Sequence, residues 1–87
     1  GARVTCGDAV WALRQEPRTY DLVLVDPPYE LWSELEPKLA EHLPRVLAPD
    51  GLLVVETGAR TVPALPLPLR TSRRYGSARL TLFEPTP

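Results

Sequence analysis

Two unbroken apolar runs organise the chain, "LVLV" at 22–25 and "LLVV" at 52–55. The first lies within "YDLVLVD" (20–26) and predicts a strand buried on both faces of a parallel sheet. The second lies within "LLVVE" (52–56) and predicts another. Between them, Leu31, Leu35, Leu39, Leu43 and Leu47 recur every fourth residue, the period of one helix face. Pro37 and Pro44 interrupt that ladder, so the pattern predicts a kinked or two-piece helix over 31–47. "APDG" (48–51) reads as the turn into the second strand. Upstream, "ARVTC" (2–6) is short and β-prone, and Gly7-Asp8 breaks it. "DAVWALRQE" (8–16) follows as a short helix, with Asp8 at its N-cap and Val10, Leu13 and Trp11 on its apolar side. Pro17 ends it. Downstream, Pro63, Pro66 and Pro68 make 58–69 an extended loop. "RTSRRYG" and "SARLTLFE" then alternate around Gly76-Ser77, a hairpin pattern.

The order is strand, helix, strand, helix, strand, loop, hairpin. Such alternation implies an α/β fold with parallel strands, to which the hairpin adds an antiparallel edge. Ligands gather at the carboxyl ends of the strands in sheets of this kind. Asp8, Asp26 and Glu56 all fall at or just beyond such ends.

Composition narrows the picture. With 87 residues, the chain has room for one small domain, which buries roughly 60% of the surface of its unfolded form. No apolar run is long enough for a membrane-spanning helix, and the N-terminal residues do not read as a signal peptide, which implies a cytoplasmic location. Cys6 and His42 are each single in the sequence, so no internal disulfide forms, and no metal site is expected because ligands must converge in number. Charge is uneven: residues 57–87 carry Arg60, Arg70, Arg73, Arg74 and Arg79 against Glu84 alone. An arginine-rich end on an otherwise acidic chain reads either as a phosphate-facing surface or as solvated strand edges.

The candidate chemistry is Asp26-Pro27-Pro28-Tyr29. On turn chemistry alone, two prolines make a stiff turn and the tyrosine packs. At the ligand end of the most apolar strand, the same residues read differently. Asp26 accepts hydrogen bonds, the prolines lack competing N–H donors, and Tyr29 offers a flat face for a nucleobase. That combination suits an exocyclic amine on an aromatic ring. Such a nitrogen is a poor nucleophile because its lone pair is delocalised. Two acceptors holding its hydrogens, the Asp26 carboxylate and a proline-loop carbonyl, would pyramidalise it and aim the lone pair at an electrophilic methyl group.

The sequence also resembles a known family. Asp-Pro-Pro-Tyr after an apolar strand is similar to the motif-IV signature of S-adenosylmethionine-dependent amino methyltransferases. "GDA" (7–9), "YDLVLVDPPYE" (20–30), "LAPDGLLVVE" (47–56) and "RRYGSARLTLFE" (73–84) follow the order and spacing of one branch, the bacterial 16S ribosomal RNA guanine-N2 methyltransferases. This resemblance implies a Rossmann-like methyltransferase sheet, S-adenosyl-L-methionine as cofactor, and ribosomal RNA or the assembling small subunit as partner. It implies that Asp26, Pro27, Pro28 and Tyr29 hold the target amine and base. Asp8, with Ala9 and Asp26, would bind the cofactor, Asp8 accepting from the adenine amino group. Read locally, Asp8 is a helix N-cap. Arg73, Arg74, Tyr75 and Arg79 would lie near RNA, or alternatively support the hairpin.

One departure is large. The family places a glycine-rich loop and a ribose-binding acid upstream of its "GDA" strand, and no G-x-G occurs here. Residues 1–87 therefore look like the C-terminal part of a catalytic domain, expected to be inactive alone and to bind cofactor weakly. In the family's sheet, two further strands separate the "GDA" strand from 22–26. Without them an apolar edge lies open. Either residues 2–6 cross over to pair with 22–26, or a second copy of the chain covers that edge by self-association. The competing functions are a DNA amino methylase acting on adenine N6 or cytosine N4, and a non-catalytic RNA-binding remnant of the fold.

Overall fold

The computed structural model describes residues 2–4 and 18–86. Expectations that fall on Cys6, Gly7, Asp8, Ala9 and the helix at 8–16 lie outside the described residues.

Strand β1 (Ala2–Val4) runs parallel to β2 (Tyr20–Val25), with Ala2 opposite Val23 and Val4 opposite Val25. Of the two ways to cover the β2 edge, the fold takes the first, and the N-terminal strand pairs directly with β2. Next, a short 3-10 turn (Tyr29–Leu31) leads into helix α1 (Trp32–Val46). The chain returns as β3 (Leu47–Gly58), parallel to β2. A loop then reaches the hairpin of β4 (Leu69–Tyr75) and β5 (Ala78–Phe83). Among the described residues the strands form one five-stranded sheet in the order β1-β2-β3-β5-β4. Its β1-β2-β3 part is parallel, and β5 and β4 add the antiparallel edge. The expected mixed α/β sheet is thus present.

Helix α1 is one element, not two pieces. Both prolines lie inside it. Each removes one backbone donor, leaving the carbonyls of Ser33 and Ala40 without their usual partners. Burial of Trp32, Leu35, Leu39, Leu43 and Val46 along one face offsets that loss. They pack on Val23, Val25, Leu53, Val55 and Phe83, which makes one core between the helix and one face of the sheet. Leu31 and Leu47, the outer rungs of the predicted ladder, belong instead to the 3-10 turn and to the start of β3.

β2 is buried on one face only, contrary to the two-sided burial that its apolar run predicts. Val23 and Val25 are 1% exposed, whereas Leu22 and Leu24 are 39% and 37% exposed. The alternation of a strand explains this: neighbouring residues point to opposite faces, and α1 covers only one of them.

"APDG" is not a separate turn. It lies within β3, whose pairing with β2 is irregular there: Tyr20 opposes Leu47 but Leu22 opposes Leu52. The turn-forming residues are absorbed as a bulge. Gly51 fits it because a Cβ there would sit 2.7 Å from Leu47 Cδ1 and 3.0 Å from the carbonyl oxygens of Ala48 and Tyr20. At the hairpin tip the prediction holds. Tyr75 pairs with Ala78 across Gly76-Ser77, and Gly76 has φ +61°. This is the first central position of a two-residue turn, where a left-handed φ calls for glycine.

Candidate active site

Parallel pairing brings the carboxyl ends of β2 and β3 together. Val25 opposes Val55, so Asp26 leaves β2 beside Glu56, which stays in β3 opposite Leu80 of β5. Pro27 has no N–H for the ladder, and β2 stops at Val25. Asp26 is half-buried, Pro27 buried and Pro28 exposed. Pro28 adopts φ −54° and ψ 135°, and its carbonyl accepts from the Leu31 N–H at 3.0 Å. That bond closes the 3-10 turn and seats Tyr29 beyond the end of the strand.

Tyr29 is 44% exposed yet fixed. Its hydroxyl donates to Glu56 Oε2 at 2.9 Å. Its ring faces Gly58, where a Cβ would be 3.6 Å from Tyr29 Cδ2. One edge of the ring is therefore anchored on β3 while much of its surface meets solvent. The hydrogen bond to Glu56 raises the phenol's pKa, desolvation raises it further, and the nearby Glu56 charge adds to both. Tyr29 accordingly stays a neutral phenol throughout the physiological range.

Asp26, Pro27, Pro28 and Tyr29 thus share one loop at the ligand end of the sheet. Asp8 and Ala9 lie outside the described residues. The remaining candidates sit on the hairpin and divide by environment. Arg79 is occupied: Nε donates to the Ala59 carbonyl and Nη1 to Ser72 Oγ, each at 3.0 Å. Arg74 is exposed, with Nε donating to the Gly76 carbonyl at 3.0 Å. Arg73 and Tyr75 are exposed on β4.

Glu56 was visible in the sequence as an acid at a strand end, but its partnership with Tyr29 was not. The spacing of 27 residues between them carries no local signal. Glu36 was missed altogether. Its Oε2 accepts from Trp32 Nε1 at 2.8 Å and from the Ala64 N–H at 3.0 Å, and so ties α1 to the loop after β3. No helix among the described residues is long and apolar enough to cross a membrane.

A mixed sheet with a polar loop at the carboxyl ends of its parallel strands defines a Rossmann-like α/β protein. The chain belongs to the family described as conserved hypothetical protein 95, whose model matches residues 2–84. No curated protein matches it. Among solved structures, it is similar to a Haemophilus influenzae protein provisionally called a methylase, with 24% identity and a TM-score of 0.70 over 91% of this chain and 52% of that one. An Escherichia coli protein provisionally called a methyltransferase is 26% identical, with a TM-score of 0.67 over 90% of this chain and 46% of that one. The ribosomal RNA methyltransferase aviRa of Streptomyces viridochromogenes is more distant, at 20% identity and a TM-score of 0.59 over 75% of this chain and 29% of that one. The chain spans about half the length of the first two structures. The sheet is that of a Rossmann-like methyltransferase, and a C-terminal portion fits it.

Proposed function

We propose that the chain is the C-terminal part of an S-adenosylmethionine-dependent enzyme that methylates an exocyclic amine of RNA, guanine N2 in 16S ribosomal RNA. The observation that carries this reading is the Asp26-Pro27-Pro28-Tyr29 loop at the carboxyl end of β2, with the exposed ring of Tyr29 anchored on Glu56. Similarity to provisional methyltransferases and to a ribosomal RNA methyltransferase supports it. So do the sequence motifs shared with the guanine-N2 branch.

The described residues suit both ligands. A flat aromatic face beside a carboxylate fits a purine bearing an amine. Asp26 and Glu56, two acids at one sheet end, suit the positive charge of a sulfonium cofactor. Asp8 and Ala9 are the further cofactor residues in this reading. When bound, S-adenosylmethionine supplies the methyl group as an electrophilic carbon.

The chain's own residues supply position and charge. Tyr29 stacks on the extruded base, a sequence-tolerant contact. Asp26 accepts one hydrogen of the amine. A carbonyl of the Pro27-Pro28 loop takes the second. Held this way, the nitrogen turns its lone pair out of conjugation. The Asp26 carboxylate would stabilise the positive charge that develops on the nitrogen as the methyl group passes to it, the sulfur departing as a neutral thioether and the nitrogen then losing one proton to solvent.

The test is transfer of a labelled methyl group to small-subunit ribosomal RNA by the full-length protein. Asp26→Ala should lower turnover on the order of 10²- to 10³-fold, as removal of a preorganised polar group does elsewhere. Near-normal turnover would overturn the assignment. A preference for DNA adenine or cytosine in the same assay would move the enzyme to the DNA amino methylases.

A further inference from the structure

A second feature adjoins Gly58. An open groove of ≈ 320 Å³ is lined by Gly58, Ala59, Arg60, Thr61, Arg74 and Ser77. It contains two arginines and no acid. From it we infer a subsite for an RNA backbone phosphate, held between Arg60 and Arg74 and contiguous with the base platform of Tyr29. This inference rests on the RNA reading given above and names the place where the backbone is gripped.

Three observations support it. First, the arginines of the C-terminal region are not equivalent. Arg70 lies 3.8 Å from Glu84, and Arg79 spends its donors on Ala59 and Ser72. By contrast, Arg60 is exposed and has no polar partner among the described residues, and Arg74 is exposed and lines the same groove. Second, Arg74 is steadied from behind, because its Nε donates to the Gly76 carbonyl at 3.0 Å. A guanidinium fixed through one nitrogen keeps its remaining N–H groups available for a planar oxyanion. Third, Gly58 belongs to both places. It lines the groove, and its absent side chain would point at the Tyr29 ring, a Cβ there lying 3.6 Å from Tyr29 Cδ2. A nucleotide bears base and phosphate on one sugar, so a base on Tyr29 delivers its phosphate toward this groove.

The charge pattern also selects the ligand. A methyl donor is cationic at its sulfur and suits Asp26 and Glu56, not a pair of arginines. A phosphodiester suits the arginines, and Thr61 and Ser77 add hydroxyls to the lining.

The test is the salt dependence of binding between the full-length protein and a short RNA hairpin with unpaired guanosines. Each phosphate contact on a single-stranded segment contributes about 0.7 to the slope of log K against log salt. Arg60→Gln with Arg74→Gln should therefore lower the slope by about 1.4. Arg70→Gln should leave it unchanged, and Arg60→Lys with Arg74→Lys should restore most of it. An unchanged slope in the glutamine pair would overturn the subsite. If that pair loses its fold, judged by circular dichroism, Ser77→Glu serves instead. It sets a carboxylate in the groove without removing either arginine and should weaken binding on the order of tenfold at low salt; unaltered affinity would overturn the inference equally. Absence of RNA binding by the unmodified protein would refute the RNA reading itself, whereas binding that ignores these substitutions would refute the subsite alone.

Discussion

Tyr29 and Glu56 meet across the ends of two parallel strands, with the phenol donating to Glu56 Oε2 at 2.9 Å. The bond joins the loop that leaves β2 to the end of β3. It converts a surface ring into a positioned one, because a ring held at its hydroxyl and facing Gly58 loses much of its freedom to turn. If positioning is the purpose, the two residues act as a unit. Tyr29→Phe keeps the ring but frees it, and Glu56→Ala frees it from the other side. Both should reduce turnover by a similar, modest factor, and the double variant should be no worse than either single one, the signature of a shared interaction. Tyr29→Ala also removes the stacking face and should cost on the order of tenfold more. Independent, multiplying effects of Tyr29→Phe and Glu56→Ala would show that Glu56 has a separate role.

The same bond has a pH signature. Hydrogen bonding to Glu56, desolvation and the neighbouring charge all raise the phenol's pKa in the folded protein. A group whose folded pKa is raised favours the fold while it is protonated. That contribution is complete below the unfolded tyrosine pKa of about 10 and is lost as pH climbs through the higher folded value. Tyrosinate absorbance, taken as the difference between the wild type and Tyr29→Phe, should show Tyr29 titrating later than an ordinary tyrosine. Glu56→Gln should bring the midpoint down. A midpoint indifferent to Glu56→Gln would mean that the bond does not persist in solution.

Glu36 makes a third case. One carboxylate oxygen accepts from both Trp32 Nε1 and the Ala64 N–H. It pins the loop between β3 and β4, the loop that carries Arg60 and Thr61 into the groove. Hydrogen bonds to a charged acceptor are worth roughly 1.5–3 kcal/mol when buried, and partial exposure lowers that. Glu36→Ala should therefore destabilise the fold by about 1–2 kcal/mol, with faster hydrogen exchange at Ala64. Unchanged protection of Ala64 would mean that the loop is held by Pro63 and Leu67 packing alone.

Much of the architecture was readable from periodicity. The apolar runs at 22–25 and 52–55, the leucine ladder of α1 and the Gly76-Ser77 turn each carry a local rule, and each is present in the fold. What failed to read through depends on tertiary context. An apolar run reports hydrophobicity but not coverage, so Leu22 and Leu24 looked as buried as Val23 and Val25. Pro37 and Pro44 argue for a break, yet packing against the core keeps α1 in one piece. "APDG" has turn chemistry, but pairing with β2 holds it in the strand as a bulge. At the candidate site, Asp26 to Tyr29 were visible because they are consecutive. The contacts of Glu56 with Tyr29, of Glu36 with Ala64 and of Arg79 with Ala59 were not, because each spans a separation that no periodic rule covers.

Arg79 shows a basic residue whose side chain holds the fold. Its sequence context, an arginine in an arginine-rich hairpin, is shared with Arg73 and Arg74. Its surroundings are different. Nε reaches the Ala59 carbonyl just past the end of β3, and Nη1 reaches Ser72 Oγ on β4. Ser72 Oγ in turn lies 2.9 Å from Thr81 Oγ1, the hydroxyl of a fully buried threonine. The guanidinium therefore ties β3, β5 and β4 together at one end of the hairpin. Arg79→Ala would leave the Ala59 carbonyl and the Ser72 hydroxyl to find water, and each lost charge-assisted bond is worth about 1.5–3 kcal/mol at most in a part-buried setting. Thermal or denaturant unfolding of Arg79→Ala should show a loss of about 2 kcal/mol. At temperatures where the variant stays folded, its salt slope for RNA should match that of the wild type. Arg60→Gln should do the reverse, flattening the slope and sparing stability. A variant of Arg79 that unfolds normally but binds RNA with a reduced slope would return this residue to the nucleic-acid surface and leave the hairpin to its backbone ladder.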